Sequence, residues 1–407
     1  MTIKIPKILL PNKDIDLSKW AVVACDQFTS QREYWQELDK LVGDSKSCLR
    51  MVFPEAYLED ANKAQRTAII NKTMEEYLSQ GVFEEIEGFV LVDRVQSDGK
   101  HRIGLMLSVD LEDYDYTPSN NARIKATEKT VVERLPARIA VRQNASIEIP
   151  HIMLLMDDRD KYILGKLYSQ RDQMPKLYDF DLNMKGGKLT GYKVPDSESV
   201  LAEIMSLLDK QVLMDKYQSD RELLFVVGDG NHSLATAKEC WRNIKQTLRQ
   251  EERQNHPARY ALCELVSLQD SALEFQPIHR VLFGGGKDMI DYLQSVVQGS
   301  DQTKMVYEGK EYVLNISTSP SDAIADIQNA IDDYIKTHAN VSIDYIHGDE
   351  YTLSVAEQNH AIALFMPTIS KDSLFGYVTR RGVLPRKSFS MGHAEDKRYY
   401  MESKKIK

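Results

Sequence analysis

The sequence predicts a mixed α/β (α+β) protein in which mixed sheets are flanked by helices. Three observations carry that expectation. The apolar run Leu223-Leu224-Phe225-Val226-Val227 ends at a glycine-flanked turn, and a long amphipathic stretch follows at once. Two further runs, Phe89-Val90-Leu91-Val92 and Ile103-Gly104-Leu105-Met106-Leu107, flank the turn residues Ser97-Asp98-Gly99, as paired strands do. Strands and helices do not follow the regular order of a βαβ array, and no internal repeat is evident.

The elements follow in order. Trp20-Ala21-Val22-Val23-Ala24 reads as a buried strand, and Ser30 with Glu33 fits a capping box that opens a helix through Trp35 and Leu38. A second helix is expected over 60–79 and a strand over Ile152–Met156. The stretch 177–195, rich in Gly, Tyr and Lys, reads as a hairpin or surface excursion, and a helix over 197–214 leads to the strand 223–227. From Ser233 to Arg249, the residues Leu234, Ala237, Trp241, Ile244 and Leu248 fall three and four apart, on one helix face. A strand over 260–268, a glycine joint at 284–286 and helices from 287 and over 321–337 complete the pattern. Three regions are expected, separate or packed as one unit: 1–150, an N-terminal α/β region; 151–283, the central region around Asp229; and 284–407, an α/β region with a basic cluster.

Composition bounds the function. The 407 residues are 42% hydrophobic and 28% charged, enough for a sizeable core and a soluble surface. A net charge of −9 argues against general nucleic-acid binding, which needs a basic field. No apolar run approaches the roughly 20 residues a membrane helix needs, and the N-terminus shows no signal-peptide pattern. A soluble cytoplasmic protein with no membrane partner is therefore expected. The four cysteines form no CxxC pair and read as reduced thiols, and the scattered histidines form no zinc motif.

The segment Gly228-Asp229-Gly230-Asn231-His232 offers the clearest chemistry. Two glycines let the backbone turn tightly around Asp229, and the following helix exposes unpaired N–H groups at its start, a ready anion site. A carboxylate here can take a proton from an alcohol or bind Mg²⁺, while Asn231 and His232 can donate hydrogen bonds to a phosphate. An ordinary strand-to-helix turn, capped by Asn231 or Ser233, accounts for the same pattern. Asp26 lies just after the first strand, and Glu128 is a second candidate acid/base or metal-organising group. His279-Arg280 can hold a phosphate or a carboxylate. The run from Arg380 to Arg398, with Arg380, Arg381, Arg386, Lys387 and Lys397 interleaved with Ser388, Ser390 and His393, can seat a polyphosphate or form a solvated basic tail. No Walker A motif and no protein-kinase catalytic loop occur.

These segments carry a resemblance. Asp229-Gly230-Asn231-His232 with Leu234-Ala235-Thr236-Ala237 resembles the DGxH-centred motif of the bacterial family of domain of unknown function 1015. In the same order come Ala24-Cys25-Asp26, Ile124-Lys125-Ala126-Thr127-Glu128-Lys129-Thr130, Gln276-Pro277-Ile278-His279-Arg280 and Leu384-Pro385-Arg386-Lys387-Ser388. Asn231-His232-Ser233 stands where many members carry two histidines and an arginine, and Thr127-Glu128-Lys129-Thr130 where many carry HExT. The motif is similar to that of ParB-like free serine kinases, in which the aspartate serves the substrate hydroxyl. The resemblance implies a ParB-like core with large additional elements. It also implies phosphoryl transfer from pyrophosphate or a nucleotide to a small hydroxylated metabolite, free L-serine foremost.

In that reading Asp229, His232 and Glu128 are catalytic. Gly230, Asn231, Asp26, His279, Arg280, Arg386, Lys387, Ser388 and His393 bind substrate or phosphate, and Mg²⁺ follows from the reaction class. The alternative is a ParB-like regulatory protein that binds a nucleotide or phosphate without fast chemistry.

Overall fold

A computed structural model describes residues 2–118, 120–130 and 132–407. The chain forms two compact units, Met1–Leu273 with His393–Lys407, and Glu274–Gly392.

The first unit is built on a large mixed sheet, in line with the expected fold class. Its strands run in the spatial order Lys176–Asp181, Lys188–Lys193, Val90–Val95, His101–Asp110, Tyr260–Ser267, Met153–Met156, Phe225–Asp229, Ile124–Ala126 and Tyr114–Asp115. The first five are antiparallel neighbours. Tyr260–Ser267 is then parallel to Met153–Met156, Met153–Met156 is antiparallel to Phe225–Asp229, and Phe225–Asp229 is parallel to Ile124–Ala126. Val90, Leu91 and Val92 are fully buried, as expected of a strand covered on both faces. Helix Asn231–Thr247 buries Leu234, Ala237 and Trp241 in the core, with Ile244 and Leu248 packed at its margin, so the expected apolar face is the one that docks.

The hairpin around Ser97-Asp98-Gly99 is present, with Val90 opposite Met106 and Gly99 at φ +82°. Other elements depart from the sequence reading. Trp20 closes a helical turn, Leu17–Trp20, because Asp16 caps that turn by accepting from the Ser18 N–H; only Val22–Val23 is strand. Ser30 and Glu33 form no capping box, since the helix starts at Arg32 after an uncapped Gln31. The helix expected over 197–214 is two helices, Ser197–Met205 and Lys210–Tyr217. Asp209 caps the second by accepting from Gln211 and Val212, so the chain restarts there. The 177–195 hairpin extends the sheet edge by pairing with Val90–Val95.

The second unit has its own sheet, in the order Lys310–Ile316, Asp301–Tyr307, Ile362–Leu364, Phe275–Phe283 and Ser342–His347, with Phe389–Met391 also pairing to Phe275–Phe283. Helices Lys287–Val296, Pro320–Thr337, Asp349–Gln358 and Lys371–Arg381 accompany it. Among the described residues no helix is long and apolar enough to cross a membrane. All four cysteines are free thiols.

Candidate functional site

The strand Phe225–Asp229 is buried through Val227, and its last residue is the half-buried Asp229. Gly230 then turns the chain with φ +77°. A Cβ at this position would lie 3.0 Å from Ile152 Cα and 3.2 Å from Ile152 Cγ1, so both conformation and space require glycine. Gly230→Ala is therefore expected to cost at least about 1 kcal/mol from the left-handed backbone alone, read as a lowered urea midpoint; an unchanged midpoint would show that the turn relaxes freely. The Gly230 N–H donates to Asp229 Oδ1 at 2.9 Å, and Lys397 Nζ stands 3.1 Å from Oδ2, so each carboxylate oxygen has a fixed partner. Helix Asn231–Thr247 begins here without a side-chain cap, and the first-turn N–H groups of an α-helix have no intrahelical partner. Among these residues His232 is half-buried, and Asn231 Oδ1 is buried with no hydrogen-bond partner.

Neighbouring strands bring other groups to this end of the sheet. Met153 pairs with Asp229 across the antiparallel ladder, so His151 emerges beside the turn. Ala126 pairs with Val227 in the parallel ladder, and Thr127 Oγ1 donates to the Val227 carbonyl at 2.7 Å. Glu128 thus lies two residues past the end of the strand Ile124–Ala126, while Asp229 ends the neighbouring strand. A separate antiparallel ladder pairs Val23 with Tyr399 and Val22 with Tyr400, and the Ala24 N–H donates to the Arg398 carbonyl at 2.9 Å. That ladder delivers Asp26 and Lys397 together.

His151 is the hub. Its Nε2 lies 2.9 Å from Ser233 Oγ and 3.4 Å from Asp26 Oδ2, and its Nδ1 lies 2.8 Å from the Tyr400 hydroxyl. Tyr400 also accepts from the Cys25 N–H at 3.1 Å, while Gln27 Nε2 donates to Asp26 Oδ1 at 2.9 Å. Burial acts to lower the His151 pKa, but the facing Asp26 carboxylate, with Asp229 and Glu55 beyond it, outweighs burial and raises the value above 6.5. Burial likewise acts to raise Asp26, but His151, Gln27 and Lys397 hold it well below the usual carboxylate range. Each group of the pair thus favours the charged form of the other, the imidazolium on His151 and the carboxylate on Asp26. Burial, with Asp26 and Glu55 nearby, pushes the Cys25 thiol far up, which suits an inert side chain.

This pair sets a pH dependence. The raised His151 value contributes stability that is complete below 6.5 and disappears as pH climbs through the folded-state value. The depressed Asp26 value contributes stability present above 3.8 and lost as pH falls through its folded-state value. Urea midpoints of the wild type should therefore decline as pH rises above 6.5, and His151→Gln should lack that part of the slope. An equal decline in both proteins would remove the imidazolium from the account.

Lys397 is held by its own backbone. Arg94 Nη2 donates to the Glu395 carbonyl at 2.9 Å, Arg102 Nη1 to the Asp396 carbonyl at 2.6 Å, and the Ser97 N–H and hydroxyl to the Asp396 carboxylate at 2.8 and 3.0 Å. Arg398, next in sequence, is buried. It donates to Glu264 Oε2 at 2.8 Å and to Glu402, and its Nε donates to the Pro150 carbonyl at 3.1 Å, one residue before His151.

The residues expected from sequence divide between the units. Asp26, Glu128, Asp229, Gly230, Asn231 and His232 belong to the first unit, as does the exposed His393 that precedes the turn Ala394–Asp396. His279, Arg280, Arg386, Lys387 and Ser388 belong to the second. There, His279 Nε2 lies 2.9 Å from Asp349, and its Nδ1 accepts from the Met366 N–H at 3.0 Å. Arg280 is fully buried and donates to the Lys387 carbonyl at 2.9 Å and to Gln328 at 3.2 Å. Arg386 donates to the Tyr345 hydroxyl at 2.9 Å, and the buried Ser388 hydroxyl donates to the Pro385 carbonyl. The basic run is divided between the units, and within it Arg398 is enclosed by Glu264 and Glu402. Sequence reasoning passed over His151 and Tyr400, and it valued Lys397 only as part of that run. The signal for His151 was a polar residue between Pro150 and the apolar strand that starts beside it.

Comparison with known proteins gives distant structural likenesses. A conserved hypothetical protein from Pyrococcus furiosus is 12% identical with a TM-score of 0.36, over 70% of this chain and 90% of that one. A free serine kinase in complex with AMP is 12% identical with a TM-score of 0.40, over 74% of this chain and 92% of that one. SbnI with a C-terminal truncation, from Staphylococcus aureus, is 8% identical with a TM-score of 0.38, over 70% and 82%. No curated protein matches in sequence. The sequence model of the family described as protein of unknown function DUF1015 matches residues 9–363, and the chain belongs to that family.

Proposed function

We propose that this protein transfers a phosphoryl group from pyrophosphate or a nucleotide to the hydroxyl of a small alcohol, with free L-serine the first acceptor to test. The observation that carries the reading is the meeting of two carboxylates, Asp26 and Asp229, with two basic side chains, His151 and Lys397, at the uncapped start of helix Asn231–Thr247. Phosphoryl transfer asks a protein mainly for positioning and cationic stabilisation, with a carboxylate at the attacking hydroxyl. In this reading the acceptor oxygen forms the new bond to phosphorus, the bond from phosphorus to the donor's leaving oxygen breaks, and the acceptor proton passes to Asp229. Lys397, His151 and the first-turn N–H groups face the anionic donor.

Among the described residues no three His, Cys, Asp or Glu side chains are grouped to hold a metal ion. Two carboxylates supply hard oxygen ligands of the kind Mg²⁺ shares with substrate phosphates. Asp26 and Asp229 would hold it, and it would neutralise donor phosphate charge.

The test is phosphorus NMR of the protein with Mg²⁺, either pyrophosphate or ATP, and L-serine alongside a panel of other small alcohols. A phosphomonoester is expected with one donor. None with either donor across the panel would overturn the reading.

A further inference from the structure

A cavity of about 150 Å³ lies within the first unit, beside the charged cluster. Its walls are apolar over most of their extent, through Met51, Phe53, Met74, Val141 and Ile149. The charged side chains along it are already matched. Arg138 donates through Nε to Glu55 at 2.9 Å and through Nη2 at 2.6 Å, and Arg142 pairs with Glu148, which also accepts from the Leu262 N–H at 2.8 Å. A polar group placed against the apolar part of these walls would lose its water without gaining a partner. At one place the lining changes character: His151 and Ser233, the pair that borders Asp26, form part of the wall.

The size is informative. A dry apolar cavity of ~150 Å³ takes a benzene ring. A wholly polar molecule the size of serine would leave such walls unfilled, whereas a phenyl or branched alkyl group would cover them.

We infer that this cavity seats an apolar group, about the size of a phenyl or isobutyl group, on the hydroxylated molecule that the cluster serves. The polar end of that molecule lies at His151 and Ser233. The inference rests on the phosphoryl-transfer reading for the role of the ligand, and it narrows the acceptor from any small alcohol to an amphiphilic one. The cavity itself stands on its own geometry.

Binding and turnover are measured separately. Calorimetry without a phosphate donor compares L-serine with L-threo-phenylserine, which adds a phenyl ring to the same hydroxyl, amine and carboxylate. Phenylserine is expected to bind about 10- to 100-fold more tightly, the value of burying one such ring. Val141 is half-buried at the cavity's edge on helix Leu135–Arg142, outside the charged cluster. Val141→Trp should fill the space and erase the preference while leaving the affinity for serine unchanged; Val141→Phe should erase part of it. Equal affinities in the wild type, or a preference untouched by both variants, would overturn the cavity assignment. If phenylserine binds as expected but neither alcohol is phosphorylated with pyrophosphate or ATP, the phosphoryl-transfer reading of the ligand's role falls instead.

Discussion

Asp229→Asn is expected to lower kcat by about 10²- to 10⁴-fold, the range a positioned proton acceptor supplies, while the protein stays folded. Asparagine has nearly the shape of aspartate and keeps a carbonyl oxygen for the Gly230 N–H, now 2.9 Å from Asp229 Oδ1. It removes the negative charge that faces Lys397 at 3.1 Å and the acceptor for the substrate proton. The stability change should fall between about 1 kcal/mol, the worth of an exposed pair, and about 3–5 kcal/mol, the cost of breaking a buried one, because the two side chains are 24% and 13% exposed. Donor KM should rise only modestly, because one of the two carboxylates that would hold Mg²⁺ loses its charge while Asp26, Lys397, His151 and the helix start remain. A single-turnover phosphorylation assay and a thermal melt on the same preparation check both halves. Undiminished turnover with an unchanged melt would remove Asp229 from the chemistry.

What could be read from sequence here was what the chain specifies locally. The hairpin Val90–Val95 with His101–Asp110 and the docking face of Asn231–Thr247 follow from apolar period and a turn signal, and both are present. The turn at Gly230 was legible because only glycine suits a left-handed residue packed against Ile152. Local rules failed where two of them competed. Trp20 lies in an apolar run, but Asp16 caps a helical turn that ends on it. The 197–214 stretch is helical in pattern, but Asp209 restarts the helix by capping Lys210–Tyr217. The charged cluster was legible only in part because its members meet through sheet register. Tyr400 and His151 are 249 positions apart, and no spacing rule links them. Asp26 was visible as a carboxylate after a strand, but its histidine partner depends on Met153 pairing with Asp229. Ser233, which the sequence offered only as a possible helix cap, shows its place only in the fold, 2.9 Å from His151.

Arg398→Met should destabilise the protein by about 3–5 kcal/mol, the cost of removing one partner from a buried charge network. Arg398 is 2% exposed in its side chain, and Glu264 and Glu402 are 1% and 0% exposed. Methionine fills much of the same volume, so the loss is electrostatic more than a matter of packing. It leaves Glu402 facing the hydroxyl of Tyr178 and leaves Glu264 with Arg102 at 3.8 Å, too far to replace the 2.8 Å bond to Arg398. The same change releases the Pro150 carbonyl, which fixes the chain just before His151, and loosens the residue that follows Lys397. Turnover should therefore fall even at temperatures where the variant remains folded. Urea denaturation gives the first effect, and activity well below the melting temperature gives the second. Replacing Glu402 and Arg398 together, with Gln and Met, should recover part of the stability, because the buried Glu402 carboxylate that pairs with Arg398 is then no longer left without a cation. Failure of the double variant to recover any stability would show that Arg398 acts through its backbone contacts at Pro150 and not through the carboxylates.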